Sequence, residues 1–260
     1  MYHREMSTNQ RSGLETSIRN RYFFGKLLDV YHFELETNYF IRQRRRLNRL
    51  VSGFGVVCGL NVEVGREANQ IVIAPGLAID RWGREIVVAQ RTDQITIPAD
   101  VLQKAAEKAK EHGENRCVQV LICYHECPSD PVPVLAGDCL NAEPCTPGAI
   151  REQYRIVFDE ECAPPLNPQC RIPDVLAGGR LDYAALVKWV TITRGCPELR
   201  PDPCIPLANI SLSQGDKGHS CNPEDIDITI RPILYSNVVL FELILALLAQ
   251  GTGTRRPNYE

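Results

Sequence analysis

Residues 75–88, PGLAIDRWGREIVV, decide how this chain folds. Two short β-rich runs flank the segment DRWGR, and Gly83 supplies the positive φ that tight hairpin turns often need. Pro75 and Gly76 predict a bend just before the first run. The stretch therefore predicts two antiparallel strands joined by a turn near Gly83.

The alternation of side chains along these strands predicts which residues face the core. Leu77 and Ile79 would point to one apolar face, and Ile86 and Val88 would pair with that face across the turn. Four charged residues are left at the turn and the strand edges: Asp80, Arg81, Arg84 and Glu85. They could form a small active site, but turns routinely collect polar residues, and we favour the structural interpretation.

Short β-rich runs surround this hairpin at residues 56–64, 70–80, 84–90 and 94–98. Gly, Pro and polar turns separate them, which is typical of a small antiparallel module. The whole chain is predicted to be a mixed α+β protein, mostly antiparallel. Its expected segments are a flexible N-terminal arm (1–20), a long helix (21–52), a β-module (53–98), a second β-rich region with long Cys- and Pro-rich loops (99–235), and an apolar C-terminal helix with its tail (236–260).

The second β-rich region begins with an Ala-, Lys- and Glu-rich sequence that predicts a surface helix from residue 99, with Gly113 as its stop signal. Strands are expected at 116–126, 150–160, 184–194, 204–212 and 225–234. Two segments rich in Pro and Cys, 127–149 and 162–179, are predicted to be irregular loops.

Asp29 is a candidate N-cap for the long helix, because its carboxylate can accept hydrogen bonds from backbone N–H groups of the first turn. A helix from Val30 to about residue 51 would span about 33 Å. Its apolar stripe consists of Phe33, Phe40 and Leu47, seven residues apart, widened by Tyr39, Leu50 and Val51. We expect the stripe to pack on its own domain or on a partner helix, and the preceding run RYFFGKLL (21–28) to be buried.

The densest charge cluster of the chain is RQRRRLNR, residues 42–49. Charge on the outer face of a helix is the default explanation. A docking surface for an acidic partner, centred on Arg44, Arg45 and Arg46, is the sharper alternative. Nucleic acid comes third, because the net charge is −3 and the rest of the chain does not extend the basic patch.

Composition places the chain among ordinary globular proteins. It has 260 residues, 44% of them hydrophobic and 23% charged, enough to build a core without staples. The N-terminal sequence is polar and lacks the apolar segment of a secretory signal. The most apolar run, Val238 to Ala249, is about half as long as a membrane helix and contains Glu242. We therefore expect cytoplasmic synthesis and no membrane span.

Eleven cysteines are unusual for such a chain, and the odd number leaves at least one thiol free or paired between chains. The first cluster is Cys123, Cys127, Cys139 and Cys145, with three, eleven and five residues between successive members. These are not the spacings of paired CxxC knuckles, so they indicate zinc only weakly. Zinc ligands, disulfides and buried free thiols all stay open. Cys58, outside the cluster, is predicted to be a small core residue.

The sequence contains none of the common catalytic motifs: no GxSxG, no HExxH, no P-loop and no dinucleotide-binding glycine pattern. His125 lies between Cys123 and Cys127, where it could join a metal site or act as a base to a thiolate. A single histidine at the end of a strand is more often structural, so we predict no catalytic residue.

Several segments together resemble a family of structural proteins found with phage-tail-like contractile injection systems. They are RYFFGKLLDVYHFELETNYFIRQRRRLNRLVSGFGVVCGLNV (21–62), IVIAPGLAIDRWGREIVV (71–88), CYHECPSDPVPV (123–134), IREQYRIVF (150–158) and CIPLANISL (204–212). The resemblance covers about residues 21–245. It implies a place among baseplate and accessory components, in modules that are commonly trimeric, and it supplies no catalytic site.

The sequence therefore predicts a non-enzymatic structural component of a contractile phage-tail-like particle, such as a peripheral baseplate or fibre-attachment protein. We expect it to form a homo-oligomer and to contact other baseplate, tube or fibre components. The expected contact residues are Phe33, Phe40, Leu47, Leu240, Leu243 and Leu247. One alternative is a module that binds a cell surface or carbohydrate through a zinc- or disulfide-stapled loop, residues 127–145. A second is a thiol- or metal-dependent hydrolase that uses Cys123, His125 and Cys127.

Overall fold

The structure, a computed structural model, describes residues 14–67, 69–112, 117–133, 145–169, 171–173, 175–177, 180–215, 218–220 and 226–252. It combines α-helices with antiparallel sheets, as the sequence predicts. The helices are α1 (Val30–Leu47), α2 (Ala99–His112), α3 (Tyr183–Lys188) and α4 (Asn237–Thr252), and π-helical segments Asn48–Ser52 and Trp189–Arg194 follow α1 and α3. The strands are β1 (Gly55–Gly59), β2 (Val62–Val64), β3 (Gln70–Ile73), β4 (Gly76–Ile79), β5 (Glu85–Val88), β6 (Ile95–Thr96), β7 (Cys117–Pro133), β8 (Cys145–Asp159), β9 (Leu176–Ala177), β10 (Arg180–Leu181), β11 (Ile205–Ser211), β12 (Ser213–Gly215), β13 (Gly218–Ser220) and β14 (Ile226–Asp227).

Three sheets carry the core, with strand orders β1-β4-β5, β2-β3-β6 and β14-β11-β7-β8. The neighbouring strands in these sheets pair antiparallel. Two short hairpins, β9–β10 and β12–β13, complete the described strands. The β-rich runs predicted between residues 56 and 98 are therefore confirmed as strands.

α1 begins where the sequence predicts. Asp29 accepts a hydrogen bond from the backbone N–H of His32 at 3.2 Å, and the backbone N–H of Asp29 lies 3.4 Å from Nδ1 of His32. Together the two contacts form a capping box that satisfies backbone donors at the start of the helix. At the other end, Arg44, Arg45 and Arg46 lie in the last turn, where positive charge suits the helix dipole.

The hairpin β4–β5 forms as predicted, but its core face differs from the expected one. Ala78 lies directly opposite Ile86, and both side chains are buried. Leu77 lies opposite Val87, whose side chain is exposed, although Ile79 is buried beside the turn. Directly opposite residues of an antiparallel pair share a face of the sheet. The position of the turn therefore puts Ile86 and Ala78 on the same face of the sheet. The prediction that Leu77 shares a face with Ile86 was wrong.

One hydrophobic core joins the β-module to the second β-rich region. Buried side chains of the first five strands, α2, β7 and β11 belong to a single cluster, which includes Leu60, Ile71, Ile86, Leu102, Ile122 and Leu207. The packing continues through α2, across the boundary that the sequence predicts between residues 98 and 99. The division of the chain into segments stays a prediction.

The described residues of the predicted loop at 127–149 are strand. β7 continues to Pro133 and β8 starts at Cys145, and these two residues pair in register. β7 pairs with β11 up to Ile122, and beyond that point no other described strand pairs with that side of β7. Proline is tolerated in edge strands because its missing N–H breaks no ladder hydrogen bond. Residues 134–144, including Cys139, lie outside the described part of the chain.

Residues 184–194, predicted to be a strand, are helical instead. The side chain of Asp182 accepts a hydrogen bond from the backbone N–H of Ala185 at 3.0 Å and caps α3. Ala185 and its neighbours Ala184 and Leu186 also favour helix. The cap and these residues outweigh the β-branched residues that follow, which continue as the π-helical segment.

The other predicted elements of the second region have mixed outcomes. The expected helix from residue 99 and the strands at 116–126, 150–160 and 204–212 are confirmed as α2, β7, β8 and β11. In the described part of 225–234, Ile226–Asp227 is paired as a strand, a turn follows at Thr229 and Ile230, and Ile233 forms an isolated bridge with Val56. Proline at 232 provides no N–H to continue the ladder. Gly113 lies outside the described residues.

Candidate assembly interface

The outer face of α1 is apolar and exposed. Phe33, Phe40 and Leu47 are 56%, 60% and 61% accessible to solvent, and no residue of α1 is buried. This stripe was expected to pack either on the protein's own body or on a partner helix. Within the described part of the chain, it does not pack on the protein's own body. The stripe is left available to a partner.

The run RYFFGKLL extends this apolar surface, and its expected burial was wrong. Phe23, Phe24 and Leu27 all point into solvent. Polar contacts hold the backbone instead: the backbone N–H of Lys26 donates to the carbonyl of Phe23 at 3.1 Å, and the Lys26 ammonium donates to the side chain of Asn20. The segment is therefore fixed in place while its large side chains remain uncovered.

The inner side of α1 is attached to the body through polar contacts. Arg44 donates to Glu85 at 2.7 Å, and Arg45 donates to Glu126 at 3.1 Å. Asn48 donates through Nδ2 to the backbone carbonyl of Gly83 at 3.0 Å. The basic run thus binds acidic residues of its own chain.

Arg46 also has an intrachain partner, the backbone carbonyl of Glu15 at 2.6 Å. The docking surface predicted for Arg44, Arg45 and Arg46 therefore has intrachain partners at all three positions. Its role towards an acidic partner protein stays a prediction.

The charged turn that could have been an active site is a buried structural motif. Asp80 is fully buried and accepts from the backbone N–H groups of Trp82 at 2.9 Å and Arg84 at 2.8 Å. The guanidinium of Arg84 donates to the same carboxylate at 2.6 Å. It also lies over the rings of Trp82 and Tyr124, at 4.6 Å from each centroid. Every oxygen of Asp80 is occupied by the turn, which leaves none for a substrate.

The turn glycines allow close backbone approaches. Gly83 has a φ of +82°, and its N–H donates to the carbonyl of Asp80 at 3.0 Å. A side chain at Gly83 would collide with the backbone carbonyl of Arg45 in α1. A side chain at Gly76 would collide with the backbone of Cys58 in β1, and the carbonyl of Pro75 accepts from the backbone N–H of Leu60, just after β1, at 3.2 Å. The hairpin therefore positions α1 on one side and β1 on the other.

Tyr124 links this joint to the four-stranded sheet. Its hydroxyl lies 2.8 Å from carboxylate oxygens of both Glu126 and Glu152. Burial and these two hydrogen bonds raise the pKa of Tyr124 above its usual value. The hydrogen bond from Tyr124, with the nearby Arg45, lowers the pKa of Glu126. The joint therefore holds a neutral tyrosine against an ionised carboxylate.

α4 exposes apolar side chains on all sides. Leu240, Leu243 and Leu247 are each at least 44% accessible, and their neighbours Phe241 and Ile244 are also exposed. Ser236 starts the helix, where its hydroxyl accepts from the backbone N–H of Val239 at 3.3 Å. None of the helices in the described residues is long and apolar enough to cross a membrane. α4 is thus a second uncovered apolar surface.

The three described cysteines of the first cluster, Cys123, Cys127 and Cys145, do not lie together. Cys123 forms a disulfide with Cys204, with their Cα atoms 4.5 Å apart. Cys127 lies four residues further along β7, and Cys145 pairs with Pro133, which places it about 20 Å from Cys127 along the hairpin. Among the described residues, no group of three His, Cys, Asp or Glu side chains is placed to hold a metal ion. Zinc stays a prediction for the segment that contains Cys139.

Of the other described cysteines, some form disulfides and others are free thiols. Cys117 is bonded to Cys162, whose Cα atom is 5.7 Å away. Cys58 is exposed, so its predicted core position was wrong: a bulge between Val56 and Cys58 turns the thiol out of β1. His125 pairs across the ladder with Gln153. With Cys123 held in a disulfide, the hydrolase hypothesis loses one of its two thiols, while the thiol of Cys127 is free.

Sequence reasoning missed the residues that attach α1 to the body. Glu85 was assigned to a strand edge, and Tyr124 and Glu126 were assigned to a strand without a role. A basic run in a helix signals that acidic partners exist, but not which ones, because the partners lie 41 and 81 residues away. The disulfide pairings could not be deduced either, since cysteine spacing alone allows many connectivities.

No model of a known protein family matches the chain, and no curated protein matches it. Among solved structures, a crystal structure of TssK superposes with a TM-score of 0.40 at 12% sequence identity. The match covers 94% of this chain and 53% of that one, so the chain spans about half the length of TssK. A likeness of this size carries no argument about function.

Proposed function

We propose that the chain is a non-enzymatic structural component of a contractile phage-tail-like injection particle, at its baseplate or at the attachment of its fibres, and that it works through oligomeric assembly. The single observation that carries this proposal is the uncovered apolar surface of α1 and α4. The resemblance of residues 21–245 to structural proteins of such particles supports it. The burial and full occupation of the Asp80 carboxylate and the disulfide of Cys123 argue against chemistry at these two residues.

Exposed apolar helices of this extent call for partners. Contiguous apolar patches on soluble proteins commonly mark protein–protein contacts. A helix that is apolar on every side, as α4 is, normally lies inside a bundle, because docking on one face leaves the others in water. α4 therefore fits an assembly in which several helices surround it, and Leu240, Leu243 and Leu247 are its contact residues.

A second candidate, recognition of a cell surface or carbohydrate, is favoured by the long hairpin β7–β8. The first nine residues of β8, Cys145 to Gln153, are all exposed. Among the described residues, disulfides are formed by Cys117 and Cys123 of β7, and these anchor the base of the hairpin. An exposed arm of this kind suits contact with a target, and binding of the purified protein to a glycan array, abolished by deletion of residues 127–149, would favour this candidate.

The direct test is the composition of purified particles. Cells that encode the wild-type chain should yield particles that contain it at fixed stoichiometry with sheath and tube proteins. Deletion of the chain should give particles that lack baseplate or fibre parts. Particles with normal composition and injection activity after deletion would refute the proposal.

A variant separates assembly from folding. Leu243→Glu places a charge in the apolar face of α4 and should remove the chain from particles while its circular dichroism stays that of the wild type. Asp93→Lys, a charge change at an exposed residue away from the helices, is the matched control and should incorporate normally. Equal incorporation of both variants would show that α4 is not an assembly contact.

A further inference from the structure

Residues 195–204, here called the strap, join the π-helical segment Trp189–Arg194 to β11 and are neither helix nor strand. The structure describes every residue from 180 to 204, and none of them is buried, so α3 and the π-helical segment are not buried either. The strap and the chain before it therefore place no side chain in the hydrophobic core. Segments with few buried apolar contacts open at a low cost in free energy, so the strap depends on other contacts to stay on the body.

Hydrogen bonds hold the strap on the β4–β5 turn and on the chain that follows α1. The donors are the indole N–H of Trp82 at 2.8 Å, the guanidinium of Arg49 at 3.0 Å, and the guanidinium and backbone N–H of Arg81 at 3.3 and 3.4 Å. Two of these four distances are long for N–H···O bonds, so the set holds the strap weakly. The acceptors are, in the same order, the backbone carbonyls of Arg200, Pro197, Asp202 and Pro203.

One disulfide ties the strap to the four-stranded sheet. Cys204, the last residue of the strap, is bonded to Cys123 of β7. The bond lies one position beyond the last pair of the β7–β11 ladder, Ile122 with Ile205. The other cysteine of the strap, Cys196, is a free thiol. The Cys123–Cys204 bond therefore holds the strap at the point where hydrogen bonding between β7 and β11 ends.

The strap lies over N–H donors beside the C-terminal end of α1. Arg49 belongs to the π-helical segment that follows α1, and Trp82 belongs to the β4–β5 turn. The guanidinium of Arg81 lies over the ring of Phe54, at 5.1 Å from its centroid. If the strap opened, these donors would lose its acceptor carbonyls. An aromatic surface with two positive charges would then be uncovered next to the joint that attaches α1 to the body.

We propose that the Cys123–Cys204 bond is a redox switch: the disulfide keeps the strap closed, and a dithiol reductant breaks it and opens the strap. Cytosolic dithiols reduce disulfides, whereas oxidising media allow disulfides to form and persist. The state of the strap would therefore depend on the medium around the chain. The proposal concerns this chain alone and does not depend on the proposed function.

The reduction is an ordinary thiol–disulfide exchange that transfers two electrons and two protons. A thiolate of the reductant attacks the sulfur of Cys204, because Cys204 is half-buried whereas Cys123 is only 5% exposed. Cys123 leaves as a thiolate and takes up a proton. The second thiol of the reductant then attacks the mixed disulfide, which releases Cys204 as a thiol and leaves the reductant as its own disulfide.

Cleavage by endoproteinase Glu-C after Glu198, in the middle of the strap, measures how often the strap opens. The full chain is compared in its oxidised form and after treatment with dithiothreitol, and mass spectrometry confirms the state of each disulfide. Reduction should speed cleavage at Glu198 by at least about tenfold, because proteolysis follows the population of the open form and a disulfide suppresses that population by more than this factor. Hydrogen exchange at the backbone N–H of Arg81 should quicken in the same samples. Glu63 in β2 should stay uncut, since this strand remains folded.

Matched serine variants separate this bond from the Cys117–Cys162 bond. Cys204→Ser should be cut at the fast rate with or without reductant, whereas Cys162→Ser should be cut slowly until it is reduced. Should Cys204→Ser fail to fold, the reduced wild type still decides, because Glu63 reports whether the fold is intact.

Three results would overturn the proposal. The first is an unchanged rate of cleavage at Glu198 once both bonds are reduced. The second is equally fast cleavage of Cys162→Ser and Cys204→Ser in their oxidised forms. The third is cleavage at Glu63 that rises together with cleavage at Glu198, because the bond would then stabilise the whole fold rather than the strap. None of the three would affect the proposed function.

Discussion

Replacing Asp80 with alanine should destabilise the protein strongly, because this carboxylate organises the turn from inside. The change removes the acceptor of two backbone N–H groups and the ionic partner of Arg84. Asp80 is fully buried, and the side chain of Arg84 is only 14% exposed. Removing one partner of a buried pair costs about 3–5 kcal/mol, since the other is left without compensation. Stacking between two aromatic rings also hinders Arg84 from turning to solvent.

Thermal unfolding followed by circular dichroism measures this loss. At 2–4 °C per kcal/mol for a chain of this size, the melting temperature should fall by about 10 °C. Asp80→Asn keeps an acceptor for the backbone N–H groups and should lose less. Asp93→Ala, an exposed aspartate, is the control and should change the melting temperature by less than about 2 °C. If Asp80→Ala melted with the wild type, the structural interpretation of the turn would be wrong, and a functional carboxylate would have to be considered again.

Three further predictions concern the joint and the disulfides. Gly83→Val should release α1 to proteolysis, because it adds a collision with α1 to the strain of a positive φ. The control is Gly195→Val, since Gly195 also has a positive φ but no atom lies within 4 Å of the added Cβ, and this variant should cost only the backbone strain, about 1–3 kcal/mol. Equal proteolysis of the two variants would contradict this prediction. Cys123→Ser, which opens the bond to Cys204, should lower the free energy of unfolding by about 4 kcal/mol, and reducing agent should then have less effect on this variant than on the wild type. Tyr124→Phe should cost about 1–2 kcal/mol near neutral pH. The folded-state pKa of Tyr124 is raised, so its stabilisation is complete below the unfolded pKa of about 10 and is lost as the pH rises through the folded-state pKa. Denaturant titrations should therefore show that the free energies of unfolding of the wild type and Tyr124→Phe converge in alkali.

The elements that the sequence predicted are those with local causes. Asp29 caps α1 through contacts within four residues, and Gly83 adopts its turn through its own backbone, so both signals lie in adjacent sequence. The strand predicted at residues 184–194 was wrong, because β-branched side chains favour a strand whereas a cap at Asp182 starts a helix there. The prediction of which β4 side chains share a face with Ile86 was wrong for a related reason. A shift of one position in the strand pairing moves every side chain to the other face of the sheet, and periodicity alone does not set that register.

The contacts of α1 arise between distant segments, and no local pattern could supply them. Arg44 could pair with any acidic residue that the fold brings near, and only the β4–β5 turn places Glu85 beneath it. The apolar stripe was visible in the sequence, but which side it faced depended on these ionic contacts. Had the stripe packed on the core, the arginines would have pointed outward as the default predicts.

α1 therefore reverses the usual arrangement of a surface helix. Arg44 and Arg45 bind acidic residues of the body while Phe33, Phe40 and Leu47 are exposed, although helices in globular proteins bury their apolar side. Surface ion pairs contribute at most about 1 kcal/mol each, and an isolated helix of this length is only marginally stable in water. The ionic contacts can thus orient α1 but add little to its stability. Burial of Phe33, Phe40 and Leu47 by a partner would supply about 1.5–3 kcal/mol for each side chain, which makes firm docking of the helix a consequence of assembly.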